Sequence, residues 1–232
     1  QVEAWEPRVN AFISFDPEDA LEQAKAADAG LAAGNVRGPL HGVPLAHKDL
    51  FYRDGKRTTC ASKILGDLTP DYDATVLRRL ADAGALHLGG LNMSELAMGA
   101  AGRNEHFGHC RNPWNADHIT GGSSSGSGAS VASRMVFGAL GTDTGGSIRI
   151  PSTMCGIVGI KGTFGRVSRH GVMPLSYSLD NAGPMTRTVE DCALLMGIVA
   201  GVDPEDPSTA DEPVPDYVGQ LANASVKGLR IG

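Results

Sequence analysis

The sequence predicts an α/β layered sheet, parallel at least in part, on three observations. Apolar runs of strand length alternate with segments that carry helix caps and glycine stops. The 31 glycines lie in turns between those runs, with no fixed period, which excludes a fibrous protein. One stretch, Ser127–Arg134, is made almost wholly of small residues, as a helix held close against a sheet requires.

The elements follow in order. Ala11–Phe15 reads as a short strand. Asp16-Pro17 supplies an N-cap and a first-turn proline for a helix to about Ala33, with Leu21, Ala24 and Leu31 on one stripe and Gly34 as the stop. Val43–Ala46 reads as a buried strand that delivers the polar pair Lys48-Asp49. Asp73 caps a helix bearing Val76, Leu77 and Leu80, ended by Gly84, and Ala85–Leu88 resumes a strand. Ser94 caps a short helix through Met98. After the small-residue helix, Phe137–Leu140 is a strand that runs directly into a glycine turn, and Ile157–Ile160 is another. Thr188–Ala200 is a helix burying Leu194, Leu195 and Ile198. Residues 201–217, rich in Pro, Asp and Glu, read as a surface connection, and Leu229–Ile231 as the start of a further strand.

Composition narrows the function. At 232 residues and 41% hydrophobic, the chain can bury a sizeable core. Aromatics are only 5% and no basic face accumulates, which argues against a nucleic-acid groove; the net charge is −6, with six acids and no Lys or Arg in residues 201–226. No apolar run approaches the ~18–20 residues of a membrane span, and none of these residues reads as a secretory leader, so neither a span nor a leader is expected within them. The four cysteines (Cys60, Cys110, Cys155, Cys192) stand singly, a spacing that fits neither a zinc site nor a disulfide framework and points to a reducing cytoplasm.

Two glycine–serine turns carry the chemistry. The first is Gly121–Gly128; the second is Gly141-Thr142-Asp143-Thr144-Gly145-Gly146-Ser147-Ile148-Arg149. Glycine allows positive φ and close backbone approach, so such turns can aim N–H groups and hydroxyls at one point. Ser147 comes directly off a strand, where the N–H groups of Thr144, Gly145, Gly146 and Ser147 can converge on an anionic oxygen. Among seven histidines none occupies a turn of comparable specificity, and His47 points away from Lys48, since neighbouring strand side chains alternate faces. Lys48, at the end of an apolar strand, has its pKa lowered by partial burial and can act as a neutral amine through a second serine.

The run from Gly121 to Pro184 resembles the amidase signature family of serine hydrolases. It carries Gly-Gly-Ser-Ser-x-Gly-Ser, Gly-Thr-Asp-Thr-Gly-Gly-Ser-Ile-Arg-Ile-Pro, Cys-Gly-Ile-Val-Gly-Ile-Lys, Gly-Arg-Val-Ser-Arg-His-Gly-Val-Met-Pro and Ser-Leu-Asp-Asn-Ala-Gly-Pro. Upstream, Gly42–Asp49 and Arg111-Asn112-Pro113-Trp114 fit the same family, and the resemblance runs from about residue 8 to 200. It implies a mixed, twisted central sheet covered by helices on both faces. It also implies a triad of Ser147 (nucleophile), Ser123 (bridging serine, typically with a cis peptide bond) and Lys48 (base), with the oxyanion on the backbone of Thr144, Gly145, Gly146 and Ser147. Met98 and Gly99 lie in a segment that lines the acyl pocket of family members. Ser125 and Gly128 depart from the family, which more often has Gly and Ala there. Members are longer at both ends, so residues 1–232 read as one domain incomplete at each end, with the C-terminal half absent.

Other site residues take lesser roles. Arg149 can bind a substrate carboxylate, but an ion pair with Asp143 is the stronger reading; Ser124 and Asp143 organise the loops. Cys155, among apolar neighbours, reads as an inert buried thiol. The expected activity is metal-free and cofactor-free cleavage of a small amide, with no nucleic acid bound directly, no membrane, and a homodimer as one assembly left open. One alternative is the A subunit of a glutamine-dependent aminoacyl-tRNA amidotransferase. Another is a phosphate- or nucleotide-binding module built on Gly121–Gly128, although Ala129-Ser130 stand where a P-loop needs Lys followed by Ser or Thr.

Overall fold

The computed structural model describes residues 1–222 and 224–230. One six-stranded mixed sheet organises the chain, in the order β1-β3-β2-β4-β6-β5. Its strands are β1 (Phe12–Phe15), β2 (Pro44–Lys48), β3 (Leu86–Leu91), β4 (Gly138–Asp143), β5 (Val158–Gly159) and β6 (Asn181–Thr186). β2 runs parallel to both β3 and β4, whereas β1, β6 and β5 pair antiparallel to their neighbours. The helices are α1 (Val2–Val9), α2 (Pro17–Ala32), α3 (Thr75–Asp82), α4 (Ser125–Ala132), α5 (Arg149–Cys155), α6 (Val189–Val199) and α7 (Tyr217–Leu221).

Strand alternation divides the interior into two cores, one on each face of the sheet. Leu45 and Leu140 join Leu77 and Leu80 of α3 and Leu195, Met196 and Val199 of α6. Their neighbours Ala46 and Ala139 join Ala129 and Val131 of α4 and Val9 of α1. Each fully buried Leu or Val contributes roughly 1.5–3 kcal/mol. The second face is built from small residues because α4 lies almost on the backbone beneath it. A Cβ at Gly126 would stand 2.3 Å from the Ala11 carbonyl oxygen and 2.5 Å from the Asn92 nitrogen. That contact sets the height at which α4 begins, and with it the position of Ser123.

Several elements differ from expectation. α1 escapes the sequence reading because Pro7 interrupts it; it ends at Asn10 in the left-handed region, and the Glu6 carboxylate accepts the Ala11 and Phe12 N–H groups, each at 3.0 Å. α2 is capped by Asp16 as expected, but Leu21 and Leu31 are exposed and Ala27 is its buried residue. α3 is capped at Ala74, while Asp73 accepts the Asp54 N–H instead. The helix expected after Ser94 is a 3₁₀ turn, Glu95–Ala97, and the Ser94 hydroxyl donates to the Gly99 carbonyl. β6, a strand the sequence reading does not include, lies buried between β4 and β5. α5 and α7 are also new, and Leu194 and Ile198 of α6 are only half-buried. Within 201–217, Asp203 and Asp206 are buried: Asp203 accepts the Ser168 hydroxyl and Asp206 the Arg169 N–H. Hydrogen bonding therefore pins the acidic segment to the body. Leu229 and Arg230 carry no regular structure, and Ile231 lies outside the described residues.

Candidate active site

The site forms where the end of β2 meets the start of α4 and the turn after β4. β2 turns Leu45 and His47 to one face and Ala46 and Lys48 to the other, as pleating requires. Lys48 is 1% exposed. Its Nζ donates to Ser123 Oγ at 2.7 Å and to Thr142 Oγ1 at 2.8 Å. Burial draws the Lys48 pKa down to about 7, against the opposing pull of Cys60, Asp180 and Asp143. No carboxylate oxygen stands within ion-pair distance of it among the described residues, so the amine is held by two hydroxyls that can donate or accept.

Ser123 follows a cis Gly122–Ser123 peptide bond and is fully buried. The geometry thus brings Lys48 and Ser123 into direct contact. Ser147 is half-buried on the turn between β4 and α5. Its carbonyl accepts the Ser124 N–H at 3.3 Å, which ties the two glycine–serine turns together, while its hydroxyl makes no hydrogen bond among the described residues.

Asp143 shapes the second turn from within. It accepts the N–H groups of Gly146 (2.8 Å), Ile148 (3.2 Å) and Arg149 (3.3 Å). Arg149 adds two side-chain bonds, each 3.0 Å. Burial opposes ionisation of Asp143, but Arg149 and these amides hold its pKa below the usual carboxylate range. One expectation changes here. Gly146, counted as an oxyanion donor, has its N–H committed to Asp143, which leaves Thr144, Gly145 and Ser147 with amides that no described residue takes up. Arg149 takes the stronger of its two expected roles, the ion pair with Asp143, and not that of a substrate ligand.

The supporting residues fall into place around these. Ser124 Oγ lies 3.3 Å from both the N–H and the carbonyl of Thr142, bracing β4 against α4. Gly99 abuts the first turn, with its oxygen 2.8 Å from where a Gly122 Cβ would stand. Met98 is 71% exposed, so it is no part of the core. Cys155 is buried, and desolvation pushes its thiol up to about 12. Two residues were missed. Thr142, within the Gly-Thr-Asp motif, is the second hydroxyl on Lys48. Asp180, within Ser-Leu-Asp-Asn, accepts the Thr144 hydroxyl and the Leu175 and Ser176 N–H groups, anchoring the second glycine–serine turn to the loop before β6. Both lie in motifs the sequence makes visible, but their partners are distant in the chain.

This constellation defines a class: α/β proteins that gather serine and threonine hydroxyls around a buried amine beside a turn rich in free backbone amides. The profile of the family described as Amidase matches residues 1–232, and the chain belongs to that family. It is 54% identical over all 232 residues to the A subunit of the glutamyl-tRNA(Gln) amidotransferase of Geobacter sulfurreducens, covering 47% of that protein. Among solved structures, a member of a vestigial protein complex bearing on the evolutionary origins of an s-triazine catabolic enzyme superposes with a TM-score of 0.94 at 43% identity, over 99% of this chain and 50% of the other. The peptide amidase of Stenotrophomonas maltophilia superposes with a TM-score of 0.89 at 42% identity, over 95% of this chain and 47% of the other. The chain therefore spans about half the length of the relatives it matches. Among its described residues no helix is long and apolar enough to cross a membrane, and its four cysteines are free and buried.

Proposed function

We propose that this chain supplies the nucleophile and base of an enzyme that cleaves a carbon–nitrogen amide bond through an acyl-enzyme at Ser147. The observation that carries the reading is the buried Lys48 amine, 2.7 Å from Ser123 Oγ with its pKa lowered to about 7. Near neutral pH a large share of the amine is uncharged and can take a proton. In the first step Ser147 Oγ gives its proton to Ser123 as Ser123 gives its own to Lys48, and Ser147 Oγ bonds to the amide carbon. The oxyanion is met by the amides of Thr144, Gly145 and Ser147, a type of contact typically worth ~2.7–4 kcal/mol per donor. The carbon–nitrogen bond then breaks, and the leaving amine takes a proton from Lys48 through Ser123. Water, deprotonated along the same path, hydrolyses the ester and releases Ser147. No step requires a metal or cofactor, and the four free buried thiols support a reducing, cytoplasmic setting.

A second reading is favoured by one observation: the 54% identity over the full chain to the A subunit of an amidotransferase. In that reading glutamine is the amide, ammonia is the leaving group, and partner subunits receive it. The test uses the full-length protein. A serine-directed fluorophosphonate should label Ser147, and activity should rise with pH through about 7, as Lys48 loses its proton. Adduct formation elsewhere, or a rate independent of pH from 5 to 9, overturns the mechanism. Turnover of simple amides without glutaminase activity favours the hydrolase; glutaminase activity with a co-purifying subunit favours the amidotransferase.

A further inference from the structure

Four side-chain-bearing residues hold left-handed backbone in two consecutive pairs, Cys60-Ala61 (φ 51° and 53°) and Leu96-Ala97 (φ 49° and 61°). Such conformations are costly for any residue but glycine and persist only where the surroundings fix them. The two other cases, Asn10 and Arg134, stand just past the ends of α1 and α4, where the left-handed region is common. The pairs face each other in the interior. The Leu96 N–H donates to the Cys60 carbonyl at 2.9 Å, and the Ser62 hydroxyl donates to Glu95 Oε1 at 2.7 Å.

Each turn is tied to one member of the Lys48–Ser123 pair. Asp49, the residue after Lys48, accepts the Thr59 N–H and hydroxyl on its carboxylate and the Cys60 N–H on its carbonyl. On the other side, the Ser123 carbonyl accepts the Ser94 N–H at 3.1 Å. A second route therefore joins Lys48 to Ser123 through the two turns, besides their direct 2.7 Å contact. Asn104 closes that route. It is 2% exposed, and its amide nitrogen donates to the Ala61 carbonyl at 2.7 Å and the Met93 carbonyl at 3.2 Å. Its oxygen accepts the His106 and Phe107 N–H groups, each at 2.8 Å. All four hydrogen-bonding positions of the side chain are thus used, and none of the partners is Lys48, Ser123 or Ser147.

We propose that Asn104 is a positioning residue for amide cleavage: by clamping the two left-handed turns together it holds Lys48 and Ser123 at proton-transfer distance and keeps water from the amine. The inference rests on the reading of Lys48 as the base. Cys60, Asp180 and Asp143 are the titratable groups near enough to act on Lys48, and Asn104 is bonded to none of their side chains. Loosening the clamp lets water solvate the ammonium, which raises the Lys48 pKa from about 7 toward its ordinary value.

The experiment compares full-length wild type with N104A, reading kcat, KM, the pH dependence of kcat/KM and the titration of the Lys48 Cε signal by carbon NMR. L80A, a core variant in α3, controls for lost stability alone. N104A should lower kcat roughly ten- to a hundredfold with KM little changed, as misplacement of reacting groups does. It should also move the acid limb and the Lys48 titration up by about half a pH unit or more, while L80A leaves both in place. A wild type with no acid limb overturns the Lys48 mechanism and this inference with it. A wild-type limb that N104A leaves in place or moves down, or that L80A moves equally, overturns this inference alone. Should N104A fail to fold, S62A decides, since it removes the side-chain bond between the turns: the same upward movement upholds the clamp, and its absence overturns it.

Discussion

Two neighbours on one strand, His47 and Lys48, meet the same physical problem and come out differently. Both are almost fully buried, and burial lowers both pKa values, to about 3 and about 7. Pleating sends them to opposite faces. Lys48 finds two hydroxyls within 2.8 Å, each able to pass a proton on. His47 finds one backbone N–H and an open cavity. Desolvation makes a group neutral; only partners that can exchange protons make it a base. The lysine is the weaker intuitive choice for a base at neutral pH, yet its environment moves its pKa toward neutrality, whereas the histidine is driven far below.

The largest test of that contrast removes Ser147, the proposed nucleophile. Ser147→Ala should cost roughly 10⁴–10⁶-fold in kcat, because residues acting as a unit lose nearly all their benefit together. It should also abolish fluorophosphonate labelling while leaving the melting temperature within a few degrees. Retained turnover near wild type would assign the chemistry to another group. Next in size, Ser123→Ala should lower kcat by roughly 10²–10⁴-fold, the range typical of a lost proton-transfer partner. The readout beyond rate is the acid limb of the pH profile. With the hydroxyl gone the limb governed by Lys48 should flatten, while a merely structural Ser123 would lower the rate at every pH alike.

Much of this contrast is legible in the sequence. The alternation that sends His47 one way and Lys48 the other follows from strand geometry, and the glycine spacing marks both turns. What the sequence hides is whatever depends on a distant partner. Thr142 bonds a lysine 94 residues upstream, and Asp180 reaches back 36 residues to Thr144. The Gly146 amide looks free in the turn but is taken by a carboxylate three residues earlier. Local composition also misleads about β6, since Gly183-Pro184 breaks an isolated strand but not one gripped along its whole length by β4. Leu21 and Leu31 fail for the converse reason. Their spacing fits a buried stripe, but α2 turns Ala27 and Gln23 inward, and the Gln23 amide clasps the His87 backbone.

Thr142→Val sharpens the comparison further, because it removes one of the two hydroxyls that distinguish Lys48 from His47. Loss of a single buried hydrogen bond is worth ~1–3 kcal/mol, so a fall in kcat/KM of about tenfold is expected. The sign of the pH shift is the stronger check. The Thr142 hydroxyl accepts from the charged ammonium, so deleting it disfavours that form, and the acid limb should move to lower pH. A shift to higher pH would mean that Thr142 instead favours the neutral amine.

The smallest effect belongs to Cys155, a third buried ionisable group, eight residues beyond Ser147. Burial acts on a thiol in the opposite sense, pushing its pKa up to about 12 and keeping it protonated at neutral pH. Its sulfur lies 3.5 Å from the Thr120 carbonyl, with no base within hydrogen-bond reach. Cys155→Ala therefore leaves a small cavity beside Gly128, whose own Cβ position stands 3.2 Å from the sulfur. The expected cost is about 1 kcal/mol of stability, seen as a modest fall in melting temperature, with kcat within about twofold of wild type. A loss of turnover that the melting shift cannot explain would show that a buried thiol takes part in the chemistry. The rule drawn from His47 and Lys48 would then need a third case.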